Sequence, residues 1–133
     1  MTELAMKKKQ RPKNLDLSTI RLPLPGKVSI LHRVSGALMF LLIPFVLYLF
    51  DKSVTSEISF VTFKTVLAHP FIKLVVLALI WAYLHHFCAG IRFLLLDLHM
   101  GISKPASAKS AVGVLVVSLA LTAVFAAKLF GLF

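Results

Sequence analysis

One group of polar residues opens the first long apolar stretch of the chain and has the side chains needed to hold a small polar ligand. Ser29, His32, Arg33 and Gly36 stand at positions i, i+3, i+4 and i+7, so a helix places them on one face. A hydroxyl, an imidazole and a guanidinium at a membrane edge can hydrogen-bond a polar headgroup. Alternatively, Arg33 only marks the interface and extends its charge into water without any ligand. The spacing alone leaves both interpretations open.

A second polar group lies in the next apolar stretch and consists of Tyr83, His85, His86, Gly90, Arg92 and Asp97. At about 100° per residue, Gly90, Phe93 and Asp97 fall within about 40° of His86, whereas Gly90 and Asp97 are about 120–140° from His85. A neutral imidazole in the middle of a span is a good ligand for haem iron. An interhelical hydrogen bond is an equally plausible use of a lone intramembrane histidine. A haem would also need its second axial ligand from elsewhere.

The composition indicates that membrane helices must position these residues. Of 133 residues, 59% are hydrophobic and only 15% are charged, and mean hydropathy is +0.91. A soluble domain of this size could not bury so much apolar surface, and a disordered chain would be far less hydrophobic. The single cysteine, Cys88, excludes an internal disulfide and a cysteine-held zinc or iron–sulfur site.

Three stretches without charge predict three transmembrane helices. They cover residues 34–50, 74–91 and 110–127, and their flanks extend them to the length of about 20 residues that a span needs. The fold class predicted is therefore an all-α integral membrane protein, with spans at about 29–50, 71–96 and 108–131 after an N-terminal arm of residues 1–28. Pro44 is expected to kink the first span. The segment 51–73 is expected to be a loop.

The distribution of lysine and arginine predicts the orientation. Residues 1–33 carry eight of them, including a basic run over residues 7–13, and the 92–109 region carries three, whereas the loop 51–73 carries three. The N-terminus and the 97–109 loop are expected in the cytoplasm, and the C-terminus outside. Ser29, Arg33 and Asp97 then share the cytoplasmic edge, with His86 about 16 Å deeper. The basic run is better explained by topology and contact with anionic membrane lipid than by nucleic-acid binding.

Two motifs resemble a known family. The first runs Arg11-Pro12-Lys13-Asn14-Leu15-Asp16-Leu17-Ser18-Thr19-Ile20-Arg21 and continues to Ser29-Ile30-Leu31-His32-Arg33-Val34-Ser35-Gly36. It resembles the opening of the cytochrome b membrane-anchor subunit of bacterial succinate dehydrogenase, the succinate:quinone oxidoreductase of complex II. The second, His86-x-x-x-Gly90-Ile91-Arg92-x-x-x-x-Asp97, is similar to the haem-ligand signature of that family. The resemblance covers residues 11 to about 97.

The resemblance implies a role for each matching residue. His86 corresponds to the axial ligand of haem b, and His32 and Arg33 to positions near the haem propionates. Ser29, Arg33 and Asp97, with Ile30 as a weaker candidate, correspond to the ubiquinone site. A second hydrophobic anchor subunit would supply the other haem ligand. An FAD flavoprotein and an iron–sulfur subunit would deliver electrons from succinate, in the bacterial inner membrane.

The chain departs from the family pattern at one position, and several alternatives stay open. The family often has histidine directly after Gly-Ile-Arg, where this chain has Phe93. His85 is an additional histidine, and the spacing to Gly90 favours His86 as the ligand. The alternatives are a fumarate reductase anchor and a non-redox scaffold or pore of three helices. A pore predicts polar residues along several spans, whereas here they gather at one edge and around one histidine.

Overall fold

The computed structural model describes residues 20–132, and these residues form five helices and no strand. The helices are α1 (Leu24–Leu41), α2 (Ile43–Val54), α3 (Glu57–Ala68), α4 (Pro70–Asp97) and α5 (Lys104–Leu129). The predicted all-α membrane fold is therefore confirmed. The basic run of residues 7–13 and the motif residues 11–19 lie outside the described residues.

Within residues 20–132, two helices are long and apolar enough to cross a membrane by themselves. α4 has 28 residues and α5 has 26, which corresponds to lengths of about 42 and 39 Å at 1.5 Å per residue. Both therefore exceed the hydrocarbon core of about 30 Å. Each has a proline in its first turn, where the missing N–H would have no partner within the helix anyway.

The predicted first span is a bent pair of helices. α1 and α2 meet at Leu42 with an angle of 51°, and together they pass the same test for a membrane span. Pro44 accounts for the bend, because it cannot donate to the Phe40 carbonyl and its ring crowds that turn. The predicted kink is thus present. α1 begins at Leu24, five residues before the predicted start of the span at residue 29.

The prediction that residues 51–73 form a loop is wrong. α2 continues to Val54, and α3 occupies Glu57–Ala68. Ser56 caps α3, because its hydroxyl accepts from the Ser59 backbone while the Ser59 hydroxyl accepts from the Ser56 N–H. A search for stretches without charge could not detect this helix, because Glu57 and Lys64 interrupt it.

α1, α4 and α5 pack together as a bundle, whereas α2 and α3 contact mainly each other and contain no buried residue. Small side chains allow the close approach in the bundle: Ala82, Ala89 and Ala111 are fully buried. Large apolar side chains instead cover the outer surface, as expected where lipid or partner helices replace water. α1 runs antiparallel to α4, since the early residue His32 lies beside Phe93 and the later residue Gly36 lies beside His86.

Candidate functional site

The imidazole of His86 makes a defined hydrogen bond with α1. Its Nδ1 lies 3.0 Å from the His32 carbonyl oxygen and 3.3 Å from the Ser35 hydroxyl. A carbonyl oxygen only accepts, so Nδ1 carries the proton in this arrangement. In a neutral ring the lone pair then resides on Nε2, for which residues 20–132 provide no hydrogen-bond partner.

The rings of two histidines stack across the α1–α4 contact. The ring centroids of His32 and His86 are 3.9 Å apart with an interplanar angle of 15°. Phe93 meets the His32 ring edge-on at 5.1 Å. Phe93, which stands where the family often has histidine, therefore supports His32 from the α4 side.

Gly36 provides the clearance that this arrangement requires. A Cβ atom at this position would lie 3.0 Å from Cε1 and 3.4 Å from Nδ1 of His86, which is tighter than ordinary packing. A Cβ at Gly90 would lie 3.8 Å from Nε2 of His32, an ordinary contact distance. The structure thus brings together His32, Gly36, His86 and Gly90, which the sequence placed on two separate helix faces.

His85 has different surroundings from its neighbour. Its side chain is fully buried and stacks on Trp81, with ring centroids 5.4 Å apart. Neither ring nitrogen has a hydrogen bond of ordinary geometry within residues 20–132, although the Val28 backbone of α1 lies close to the ring. Because both nitrogens are enclosed by protein, His85 is poorly placed to reach a large group on the bundle surface. This environment supports the preference for His86.

Ser29 and Arg33 lie on α1, four residues apart, and Asp97 ends α4 at the same end of the bundle. Arg33 and Asp97 are exposed and Ser29 is half-buried, while Ile30 is 45% exposed. Among residues 20–132, no side-chain hydrogen bond or ion pair joins any of the three polar residues to another. Their charges and donors are therefore available to an outside molecule.

An apolar groove of about 350 Å³ lies about one helical turn from His86, between α4 and the residues on either side of the α1–α2 bend. On α4 it includes Leu79 and Tyr83, which share a stripe with His86 and Gly90 at spacings of four, three and four residues. The full lining consists of Met39, Ile43, Val46, Leu47, Leu79 and Tyr83. The stripe of α4 that carries His86, with its unbonded Nε2, thus leads into this apolar groove.

The contact made by Ser35 was not predicted from the sequence. The residue is fully buried, and its hydroxyl donates to the His32 carbonyl at 2.8 Å. On a helical projection Ser35 lies about 60° from His32 and about 100° from Gly36, so periodicity did not select it. The available signal was a hydroxyl three residues after His32 inside an apolar run.

The partners of Arg92 were also not predicted. The residue is only 5% exposed. Its Nε donates to the Ser110 hydroxyl at 2.9 Å, and one terminal nitrogen donates to the Ser107 hydroxyl at 2.9 Å and to the Ser107 carbonyl at 3.2 Å. Ser107 and Ser110 stand three residues apart near the start of α5, which was the available signal. Arg92 therefore joins α4 to α5 by hydrogen bonds, about two turns from His86 along α4.

Comparison with known proteins identifies the family of the chain. The family model described as succinate dehydrogenase/fumarate reductase transmembrane subunit matches residues 7–125. The chain is also 41% identical over 110 residues to the succinate dehydrogenase cytochrome b556 subunit of Coxiella burnetii (strain RSA 493 / Nine Mile phase I), covering 82% of this chain and 88% of that protein. With its membrane-length helices, the chain is an integral membrane protein that belongs to the succinate dehydrogenase/fumarate reductase transmembrane subunit family.

Proposed function

We propose that the chain is the membrane-anchor cytochrome b subunit of succinate dehydrogenase, that it binds haem b through His86 and that it forms part of the ubiquinone-reduction site. The observation that carries the proposal is the hydrogen bond from Nδ1 of His86 to the His32 carbonyl, which leaves the Nε2 lone pair free. Histidines that bind metals commonly donate their other ring N–H to such a carbonyl. When bound, a haem supplies a one-electron carrier near mid-membrane.

The surroundings of His86 suit a large flat apolar group. The stripe on either side of His86 carries Leu79, Tyr83 and Gly90, and the apolar groove continues it. His32 stacks on the proposed ligand ring and the exposed Arg33 follows it directly on α1, so both are candidates to bind the propionates. Because this chain offers one ligand, the second axial histidine is assigned to the second hydrophobic anchor subunit.

The edge residues suit the reduction of ubiquinone, which takes up two electrons and two protons. The Ser29 hydroxyl would donate a hydrogen bond to a quinone carbonyl oxygen, with Ile30 beside it. The exposed guanidinium of Arg33 would stabilise negative charge that develops on that oxygen. Asp97, also exposed at this end, would pass protons from the cytoplasmic side through ordered water.

The assignment of partners rests on the family, and the assignment of location rests on charge. The family implies that an FAD flavoprotein and an iron–sulfur subunit on the cytoplasmic face oxidise succinate. The single cysteine of this chain agrees with that division, because it cannot hold an iron–sulfur cluster. The excess of lysine and arginine before α1 supports a cytoplasmic N-terminus and a periplasmic C-terminus in the bacterial inner membrane. The name of the Coxiella relative favours succinate dehydrogenase over fumarate reductase.

Replacement of each of the two adjacent histidines in turn tests the ligand assignment. In complex purified through this chain, His86→Leu is expected to abolish bound haem b, measured as the pyridine haemochrome per flavin. His85→Leu is the matched control and is expected to retain haem, because the ring it removes is enclosed between helices. Loss of haem in His85→Leu with retention in His86→Leu would reverse the assignment.

A further inference from the structure

Three groups on one turn of α1, from His32 to Gly36, contact the His86 ring. The His32 carbonyl and the Ser35 hydroxyl both face Nδ1, at 3.0 and 3.3 Å. The bare Cα of Gly36 faces Cε1, the atom between the two ring nitrogens. The same ring is covered on one side by the imidazole of His32. The ring is thus held at two edges and on one face.

We propose that the Ser35–Gly36 turn of α1 is a positioning element that sets the rotation of the His86 ring and thereby the direction of its Nε2 lone pair. The inference rests on the proposed function, in which Nε2 binds the haem iron. Ser35 and Gly36 act through His86 and are positioning residues.

The hydrogen-bond directions explain the part played by Ser35. Its hydroxyl proton is used on the His32 carbonyl at 2.8 Å, so an oxygen lone pair is left to face the N–H at Nδ1. The proton on Nδ1 therefore meets two acceptors that belong to one rigid helical turn. Each acceptor opposes rotation of the ring and opposes the tautomer that would place the proton on Nε2.

The clearance at Gly36 explains why no side chain fits there. A methyl group 3.0 Å from Cε1 requires a movement of a few tenths of an ångström. The ring cannot move away freely, because the same movement lengthens its bond to the His32 carbonyl and disturbs the stack on His32. Gly36→Ala is therefore expected to turn the ring while leaving His86 in place.

The chain offers a matched glycine control for this substitution. Gly113 lies inside α5, and a Cβ there would meet nothing within 4 Å. Both changes replace a glycine within a helix by alanine, so they share the same change in helix propensity.

The experiment measures the haem itself in complexes purified through this chain. Haem per flavin, the low-spin electron paramagnetic resonance spectrum and the haem midpoint potential are compared for wild type, Gly36→Ala and Gly113→Ala. Gly36→Ala is expected to shift the low-spin signal and the potential and to weaken haem binding about 10-fold, in the range of other losses of ligand support. Gly113→Ala is expected to match wild type. A Gly36→Ala complex that also matches wild type overturns the inference.

A pair of serine variants keeps the test decisive if Gly36→Ala fails to assemble. Ser35→Ala introduces no clash and removes one acceptor from Nδ1, so it is expected to retain haem with a shifted low-spin signal and potential. Ser118→Ala is the control, since Ser118 is equally buried but its hydroxyl donates only to the Leu115 carbonyl of its own helix. A Ser35→Ala spectrum identical to that of Ser118→Ala overturns the inference.

The His86→Leu complex separates this inference from the proposed function. If His86→Leu retains its haem, the ligand assignment fails and the positioning role fails with it. If His86→Leu loses its haem while Gly36→Ala and Ser35→Ala match their controls, only the positioning role fails.

Discussion

At this site, two side chains of the same type have different neighbours and are therefore suited to different roles. His85 and His86 are adjacent in the chain, yet one is enclosed without a hydrogen bond of ordinary geometry among residues 20–132 and the other donates to a carbonyl of α1. The helical twist of about 100° per residue causes this difference, because it turns the two rings toward different contacts. A neutral imidazole binds a metal through the nitrogen that carries no proton. The hydrogen-bond partner of the other nitrogen therefore determines whether the ring can serve as a ligand.

Arg33 is the residue whose charge the quinone proposal needs most. Arg33→Leu is expected to lower succinate-driven quinone reduction about 100-fold, the size of effect seen when one preorganised donor is removed from a developing negative charge. The measurement is turnover of the assembled complex with a short-chain ubiquinone.

Two controls accompany that experiment. Succinate oxidation with an artificial acceptor that draws on the soluble subunits should be unchanged in Arg33→Leu. Lys27→Leu removes another exposed positive charge from α1 and should leave quinone reduction near the wild-type level. Undiminished quinone reduction in Arg33→Leu would exclude the headgroup role.

At the level of elements, α4 positions the site because it contacts two helices at once. One side of α4 packs on α1 through His86 and Gly90, and another is fastened to α5 through Arg92. The buried guanidinium has hydroxyl and carbonyl partners in place of water, which offsets its desolvation in part. The rotation of α4 about its axis, and hence the direction of His86, depends on both contacts.

The contact between Arg92 and Ser110 should contribute measurably to stability. Ser110→Ala leaves Nε of Arg92 without its partner at 2.9 Å, and the assembled complex is expected to lose about 1–3 kcal/mol. Thermal inactivation of the detergent-solubilised complex measures the change. Ser53→Ala is the control, because its hydroxyl donates only to the Phe50 carbonyl of its own helix. Equal midpoints for the two variants would exclude this contribution.

The elements that could be predicted from sequence are those with a strong local signal. Long charge-free runs predicted α4, α5 and the bent first span, and Pro44 predicted the bend. Periodicity correctly grouped His32 with Gly36 and His86 with Gly90. Periodicity describes the face of one helix and not its rotation against another, so the stack of His32 on His86 could not be derived. The short helix α3 carries charges, so its segment lacked the signal used for spans.

At the scale of the whole molecule, the bundle presents an apolar surface with a small number of polar contacts inside. Few side chains are buried among residues 20–132, and large apolar residues on every helix face outward. Lipid and partner helices are expected to cover this surface. Along α4 the proposed haem ligand lies about 16 Å deeper than the exposed Asp97, and on α1 it contacts the turn from His32 to Gly36, which includes Arg33. That order suits a carrier within the membrane and a quinone pocket at its edge.

The optical spectrum of the complex purified through this chain tests the central claim most directly. The spectrum is recorded in detergent as isolated, after succinate and after dithionite, with the His86→Leu complex as the control. The account predicts a b-type haem signal that succinate reduces in the wild type and that is absent from His86→Leu. An assembled wild-type complex without haem, or one whose haem responds only to dithionite, would contradict the account of this chain as a haem-bearing anchor of succinate dehydrogenase.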